Sequence, residues 1–322
     1  MKAVVYTQYG SLDVLKLREV PKPIPKDQQV LVRVQAASVN AFDGFRFRVS
    51  PLLVRLADGR LLNSINTIPG VDIAGRVEAV GASVTQFRPG DEVFGLAAGV
   101  AGAFAEYACA SEKGLALKPA NVSFEAAAAV PNAGGVALRG IRDQGRTQPG
   151  QKVLIYGASG GIGTFAVQLA KAFGAEVTAV CSPRNLDLAR TVGADHVIDY
   201  TRENFTKNGQ RYDVIGAVNG YRSILDCRRA LKPGGVYVML GGSIPQILQA
   251  LLLGPLLSRL GTKQIIRTGS RTKQAELVFL GELLQTGKLV PVIDRRYPLS
   301  EVPEAIRYLI DVHAQGKVVI TM

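Results

Sequence analysis

The sequence predicts an α/β protein in two parts, a doubly wound parallel sheet and a separate β-rich region. Three observations carry this. Between residues 122 and 287 short apolar strands alternate with helical segments, the pattern of a parallel sheet with right-handed crossovers. A glycine-rich turn, YGASGGIG (Tyr156–Gly163), sits where the first of those strands meets its helix. Residues 1–121 instead alternate apolar and polar side chains over short runs bounded by glycine, as half-buried strands do.

The elements follow in order. QQVLVRVQAAS alternates from Val30 to Val34 and reads as a strand, with GRVEAVG and GDEVFGL as further short strands. The parallel sheet takes Val153–Tyr156, Val177–Cys181, His196–Asp199, Val214–Val218, Val236–Leu240 and Gln264–Arg267. Six strands is the count of a complete Rossmann dinucleotide-binding sheet. The helix after the first strand is marked by Ile162, Phe165, Ala166, Leu169 and Phe173 on one face, with Gly174 as its stop. After Gly287 the chain turns β again in LVPVIDRRYPL, passes a short helix near Glu301–Ile310 and ends in GKVVITM. This tail is expected to return to the first region. The expected domains are therefore 1–121 with 288–322, and 122–287.

Composition bounds the function. The chain has 322 residues, 47% hydrophobic and 20% charged, which is globular. Its 35 glycines imply many tight turns. A net charge of +12 suits an anionic cofactor, an acidic membrane surface or nucleic acid. The basic residues are spread along the chain without a zinc-finger, RNP or basic-helix signature, so no nucleic-acid partner is expected. Cys109, Cys181 and Cys227 are too few and scattered for a disulfide framework and fit a reducing, cytoplasmic compartment. The N-terminus lacks the apolar region of a signal peptide. The most apolar run, Ala250–Leu257, is far short of the ~20 residues of a membrane span. Between Ser243 and Lys273 it is joined to Arg259, Lys263, Arg267, Arg271 and Lys273, which resembles an interfacial helix with basic flanks. A buried helix at a subunit interface is the plainer reading.

The glycine turn supports dinucleotide binding because it follows a strand, opens a helix and starts a βαβ unit. Gly160 lets the backbone approach a pyrophosphate, and Gly163 lets helix and strand pack closely. The helix N-terminus then offers unpaired N–H groups to the phosphates. Ala158, Ser159, Gly160, Gly161, Ile162 and Gly163 are the candidate loop residues. As Gly157-x-x-x-Gly161-x-Gly163 the turn suits short-chain dehydrogenases; as Ala158-x-Gly160-x-x-Gly163 it suits medium-chain reductases. The loop lies mid-chain, and none of the ten tyrosines has a lysine four residues later, so the short-chain reading lacks its Tyr-x-x-x-Lys pair.

Motifs spread nearly end to end carry a resemblance. They include SVNAFD (Ser38–Asp43), IPGVDIAGRVEAVG (Ile68–Gly81), RPGDEVFG (Arg88–Gly95), FAEYA (Phe104–Ala108), GADHVIDY (Gly193–Tyr200), ALKPGGVYVMLGG (Ala230–Gly242) and HAQGKVVI (His313–Ile320). With the glycine turn, they make the chain resemble a zinc-free medium-chain dehydrogenase/reductase of the quinone oxidoreductase, zeta-crystallin-like type. The resemblance implies a GroES-like catalytic domain plus the Rossmann domain, with the active site in the cleft between them. It implies a homodimer and a soluble enzyme passing hydride from NADPH to a quinone or α,β-unsaturated carbonyl. It also implies Asn40 as the hydrogen-bond donor facing the nicotinamide, with cofactor contacts at Tyr200, Gly241 and Gly242. Two positions depart from the pattern: Val136 stands near the usual nicotinamide-facing threonine, and Asn219 of GAVNG replaces a usual backbone contact. Asp43 is expected to hold its turn in shape, while Arg46 and Arg48 are either cleft or surface charges.

The second sheet strand ends AVCSPRN, where NAD-specific domains carry an acid to hold the ribose 2′-OH. Here Ser182 and Arg184 stand without a carboxylate from Cys181 to Asn185. Arginine attracts a 2′-phosphate that an acid would repel, so NADPH is the expected cofactor. No metal is expected. Zinc wants about four N, S or O ligands, and the chain has two histidines, three cysteines and no CxxC. Where a zinc enzyme would carry Gly-His-Glu it has Gly70–Val71–Asp72, with Asp72 read as a structural residue in a turn. His196 is expected to be packed at a strand start, and His313 to stabilise a turn or approach the cleft. Other readings are an NAD(P)-dependent alcohol or aldehyde reductase, or a cofactor-binding protein with a membrane-surface or RNA-associated role.

Overall fold

The computed structural model describes residues 1–7, 11–45, 47, 67–98, 102–218, 222–242, 244–259, 261–269 and 272–322. In chain order the strands are β1 (Lys2–Val5), β2 (Lys16–Glu19), β3 (Gln29–Val39), β4 (Asp72–Val80), β5 (Glu92–Leu96), β6 (Tyr107–Ser111) and β7 (Leu115–Leu117). They continue as β8 (Lys152–Tyr156), β9 (Glu176–Cys181), β10 (His196–Asp199), β11 (Tyr212–Ala217), β12 (Leu231–Met239) and β13 (Gln264–Arg267), and close with β14 (Ile293–Pro298) and β15 (Lys317–Thr321). The α-helices are α1 (Ala41–Phe45), α2 (Phe124–Ala128), α3 (Pro131–Leu138), α4 (Gly161–Ala172), α5 (Leu186–Thr191), α6 (Ile224–Arg229), α7 (Ile244–Arg259), α8 (Gln274–Gln285) and α9 (Val302–Tyr308).

The chain divides into two units, residues 1–132 with 272–322, and residues 133–271. The second unit holds a six-stranded sheet in the order β10-β9-β8-β11-β12-β13, every neighbouring pair parallel. This is the doubly wound dinucleotide-binding order. Its strands are apolar almost throughout, as in β8, where Val153, Leu154, Ile155 and Tyr156 are all buried. A parallel strand covered on both faces needs that continuous pattern. The expected strands Val214–Val218 and Val236–Leu240 cover the later parts of β11 and β12 and run one residue past each.

The expected apolar face of α4 is broader than its periodicity suggested. Phe165, Ala166 and Leu169 are buried, Ile162 and Phe173 are only half-buried, and Val167 and Ala170 are buried as well. The helix packs on β8 and β9 and also against the π-helical segment Arg139–Gln144, so a second side is covered.

In the first unit β3 is the central strand. It pairs antiparallel with β4, with β6 and with β15, and β14 adds in parallel to β15. The register Val318↔Val39 shows the C-terminal tail returning beside β3. Val32, Val34, Ile73, Phe104, Val318 and Ile320 lie in the common core.

The unit boundaries fall inside the span 122–287 expected for the Rossmann part. α2 packs on β3, β4 and β5, so it belongs with the first unit. α8 does too: Gln274 Nε2 donates to Gln86 Oε1 at 2.9 Å and to the Leu115 carbonyl at 3.0 Å. Strand–helix alternation continues through both helices, and periodicity does not say which sheet a helix covers.

Candidate functional site

In the second unit β8 runs into the glycine loop, which is tied to the neighbouring strand. The Gly157 and Ala158 N–H groups both donate to the Val180 carbonyl, at 3.0 and 3.2 Å. Gly160 is the N-cap of α4, extended, and no side chain caps the helix. The first-turn N–H groups therefore have no side-chain acceptor. A Cβ on Gly160 would project into open space, whereas one on Gly163 would come within 2.1 Å of the Gly157 carbonyl oxygen. Gly163 thus sets the close approach of helix and loop, and Gly160 leaves room beside the helix N-terminus. Ala158 is buried, and Ser159, Gly161 and Ile162 are half-buried.

The candidate 2′-phosphate residues gather at the C-terminal ends of β9 and β10, where open α/β sheets bind ligands. Ser182 follows β9, Arg184 is exposed on the next turn, and Tyr200, 48% exposed, sends its N–H to the Cys181 carbonyl at 3.3 Å. Asn185 escaped the sequence reading. Buried in the same turn, it donates from Nδ2 to Ser159 Oγ at 2.8 Å and to Ser182 Oγ at 3.0 Å, clamping the glycine loop to the end of β9. An asparagine between a Ser-Pro turn and a helix was the available signal. Asp199, at the end of β10, accepts from Thr201 through its N–H and hydroxyl. Gly241 follows β12, its N–H donating to the Ala217 carbonyl at 3.2 Å; a Cβ there would lie 2.6 Å from the Val218 oxygen. Gly242 is half-buried beside it. Val136 is buried in α3. Asn219, Arg46, Arg48 and Arg271 lie outside the described residues.

The first unit holds a buried polar cluster around Asn40. Asn40 stands just before α1, and Asp43 Oδ2 accepts the Asn40 backbone N–H at 2.8 Å, half of a capping box. Asp43 therefore holds the turn, as expected. Burial pushes its carboxyl up to about 7, with the Asp72 charge adding, while Asn40, Lys317 and Gly70 pull against the rise. The Asn40 side chain is enclosed. Lys317 Nζ donates to Asn40 Oδ1 at 2.7 Å, and Asn40 Nδ2 donates to Asp72 Oδ2 at 2.9 Å and, at 3.5 Å, to the Ser38 carbonyl.

Asp72 differs from the reading as a residue in a turn. It opens strand β4, is wholly buried, and is the hub of this cluster. Its Oδ2 also accepts from Ser38 Oγ at 2.8 Å, and its Oδ1 accepts the Asn132 N–H at 3.0 Å. Sequence reasoning missed Lys317 altogether, because a lysine in an apolar terminal strand usually reads as an edge charge.

The described residues do not fit a zinc site: no three His, Cys, Asp or Glu side chains come together. His196 is not packed as expected. It stands 59% exposed at the start of the edge strand β10, its Nε2 at 3.0 Å from Glu176 Oε1. His313 is exposed, with the left-handed φ of +59°. Cys181 and Cys227 are buried free thiols, pushed by burial up to about 11 and about 12, which makes both poor thiolate ligands.

Two family models match: "Alcohol dehydrogenase GroES-like domain" over residues 26–120 and "Zinc-binding dehydrogenase" over residues 192–320. A 2-methylene-furan-3-one reductase from Solanum lycopersicum is 38% identical over 99% of this chain and 79% of that protein. A chloroplastic NADPH-dependent alkenal/one oxidoreductase from Arabidopsis thaliana is 35% identical over the same shares. Among solved structures, a quinone oxidoreductase from Coxiella burnetii has a TM-score of 0.87 at 30% identity, covering 100% of this chain and 99% of that one.

Proposed function

The chain belongs to the medium-chain dehydrogenase/reductase family, among the quinone and alkenal/one oxidoreductases, and on that premise we propose that it transfers hydride from NADPH to a quinone or an α,β-unsaturated carbonyl. The observation that carries this is the second unit's loop: an uncapped helix N-terminus with open space at Gly160, beside Ser182, Arg184 and Tyr200. The N–H groups at the start of α4 suit a pyrophosphate. Arg184, Ser182 and Tyr200 suit a 2′-phosphate, with Gly241 and Gly242 as further backbone contacts. When bound, the reduced nicotinamide supplies the hydride.

A quinone or enone needs little activation, because hydride addition leaves a delocalised anion. Hydrogen-bond donors placed toward that developing charge suffice. Asn40 is the donor in this reading. One of its Nδ2 hydrogens is held by Asp72, and the other has, among the described residues, the 3.5 Å Ser38 contact. An alcohol substrate would instead need a base or Lewis acid to lose its proton.

The test is NADPH consumption with 1,4-benzoquinone, 9,10-phenanthrenequinone and an alkenal, beside a secondary alcohol with NADP⁺. Turnover of the quinones or the alkenal is expected. Alcohol oxidation with inert quinones and enones would overturn the reading.

The free cysteines favour a reducing cytoplasmic setting. We propose that α7 and β13 carry self-association. On α7, Leu252 is 74% and Leu256 57% exposed, while Ala250 and Gly254 are buried on the side facing β13, which ends the sheet order. Exposed leucines beside the last strand of the sheet suit a second copy better than a membrane. No described helix is long and apolar enough to cross a bilayer. Light scattering is expected to give a dimer, and Leu252→Asp with Leu256→Asp a monomer.

A further inference from the structure

The motif HAQGK is not absorbed by the cofactor site, yet it is the strained approach to the polar cluster. His313 has φ +59° and Gly316 φ +85°, and a Cβ at Gly316 would lie 2.3 Å from the Val292 carbonyl oxygen. The Gln315 N–H donates to Asp294 Oδ2 and the Lys317 N–H to the Val292 carbonyl, both at 2.8 Å. A non-glycine residue in the left-handed region is strained and persists only where its surroundings impose it. What this turn delivers is Lys317, at the first position of β15, into the interior.

There the ammonium is saturated. Its three hydrogens meet the Val39 carbonyl at 3.1 Å, Asn40 Oδ1 at 2.7 Å and Asp72 Oδ2 at 3.5 Å. The Asn40 amide therefore lies between a cation at its oxygen and a carboxylate at its nitrogen. Turning it over would set NH₂ against NH₃⁺ and C=O against COO⁻, so one orientation is imposed. The same placement polarises the amide, since a cation at the carbonyl draws electrons from the nitrogen and strengthens its N–H groups as donors. Neutralising Asp72 alone would not require the shortest ammonium bond to fall on Asn40.

We propose that Lys317 is a positioning residue for hydride transfer, holding the Asn40 amide in one orientation and strengthening its N–H toward the developing oxyanion. This rests on the reading of Asn40 as the donor. The experiment is a double-mutant cycle in the full chain, with kcat and KM for 9,10-phenanthrenequinone, the NADPH Kd and thermal melting measured for each form. Asn40→Ala is expected to lower kcat by ~10²-fold if its donor faces the charge. Lys317→Gln keeps a donor but removes the charge. It is expected to lower kcat roughly tenfold with the NADPH Kd unchanged, and to add nothing to the loss in the Asn40→Ala background.

Independent losses in the double variant, or no loss in Lys317→Gln, would refute the role of Lys317 alone. An unchanged kcat in Asn40→Ala would instead reject the donor reading, and this inference with it. Should Lys317→Gln not fold, the native protein still decides. With ¹⁵N-asparagine labelling, the side-chain amide signal absent from Asn40→Ala is expected to exchange slowly with solvent and to lie away from the shifts of a hydrated asparagine. The exchange rate and shifts of a hydrated asparagine amide would overturn the proposal.

Discussion

Lys317 Nζ stands 3.5 Å from Asp72 Oδ2, with the two side chains 3% and 0% exposed, and the contact joins the C-terminal strand to the start of β4. Burying both charges is costly, and the cost is offset only while both are present and hydrogen-bonded. Asp72→Ala would strand the ammonium and leave Ser38 Oγ and the Asn132 N–H without their acceptor. Urea unfolding is expected to show a loss of about 3–5 kcal/mol, and less for Asp72→Asn, which keeps an acceptor. A loss below about 1 kcal/mol would mean that water replaces the carboxylate.

Asp43 gives the stability a pH dependence of defined sign. Its folded-state value of about 7 lies above the ordinary carboxyl value of 3.8. Between them the folded chain binds more protons than the unfolded one, so this contribution is fully present below about pH 4 and is lost as pH rises toward about 7. Asp43→Asn removes the titration while keeping an acceptor for the Asn40 N–H. The stability of the variant relative to the native chain is therefore expected to rise between pH 4 and pH 8, by up to about 4 kcal/mol. Parallel stability profiles would contradict it.

The two loop glycines are expected to fail differently. Gly163→Ala drives a Cβ to within 2.1 Å of a backbone oxygen and should lower the melting temperature as well as cofactor affinity. Gly160→Ala meets open space, so melting should be unchanged in the free protein while NADPH binding weakens by at least roughly tenfold. Calorimetric titration of both variants separates packing from phosphate approach; equal melting losses would remove the distinction.

Arg184 should set the cofactor preference. NADPH is expected to bind at least ~10-fold more tightly than NADH, a difference of about 1.4 kcal/mol, and Arg184→Glu should abolish or reverse it. Equal affinities in the native chain would remove the 2′-phosphate site from this turn.

Zinc independence is expected from the donor set rather than from family membership. Quinone turnover should survive dialysis against a strong chelator, and elemental analysis should find no stoichiometric zinc. One tightly held zinc per chain would require ligands outside the described residues.

The parallel sheet was legible in the sequence because its strands are covered on both faces, and double coverage writes continuous apolar runs such as Val153–Tyr156. The glycine loop was legible for a related reason: a close backbone approach at Gly163 excludes every side chain, so the demand appears as a residue type. The unit to which α2 and α8 belong was not legible, since an amphipathic helix records that it covers something and not which sheet. His196 read as packed because its local sequence does not say that β10 ends the sheet.

The polar cluster was decided by the tertiary structure alone. Asn40, Asp72 and Lys317 are as far as 277 residues apart in sequence, and nothing in the window of any one of them points to the other two. Only the pairing of β15 with β3, and of β3 with β4, brings an ammonium, an amide and a carboxylate into one buried site. Local pattern can specify an element and its buried face. Which charges meet across three strands depends on register, and register is set by the packing of the whole sheet.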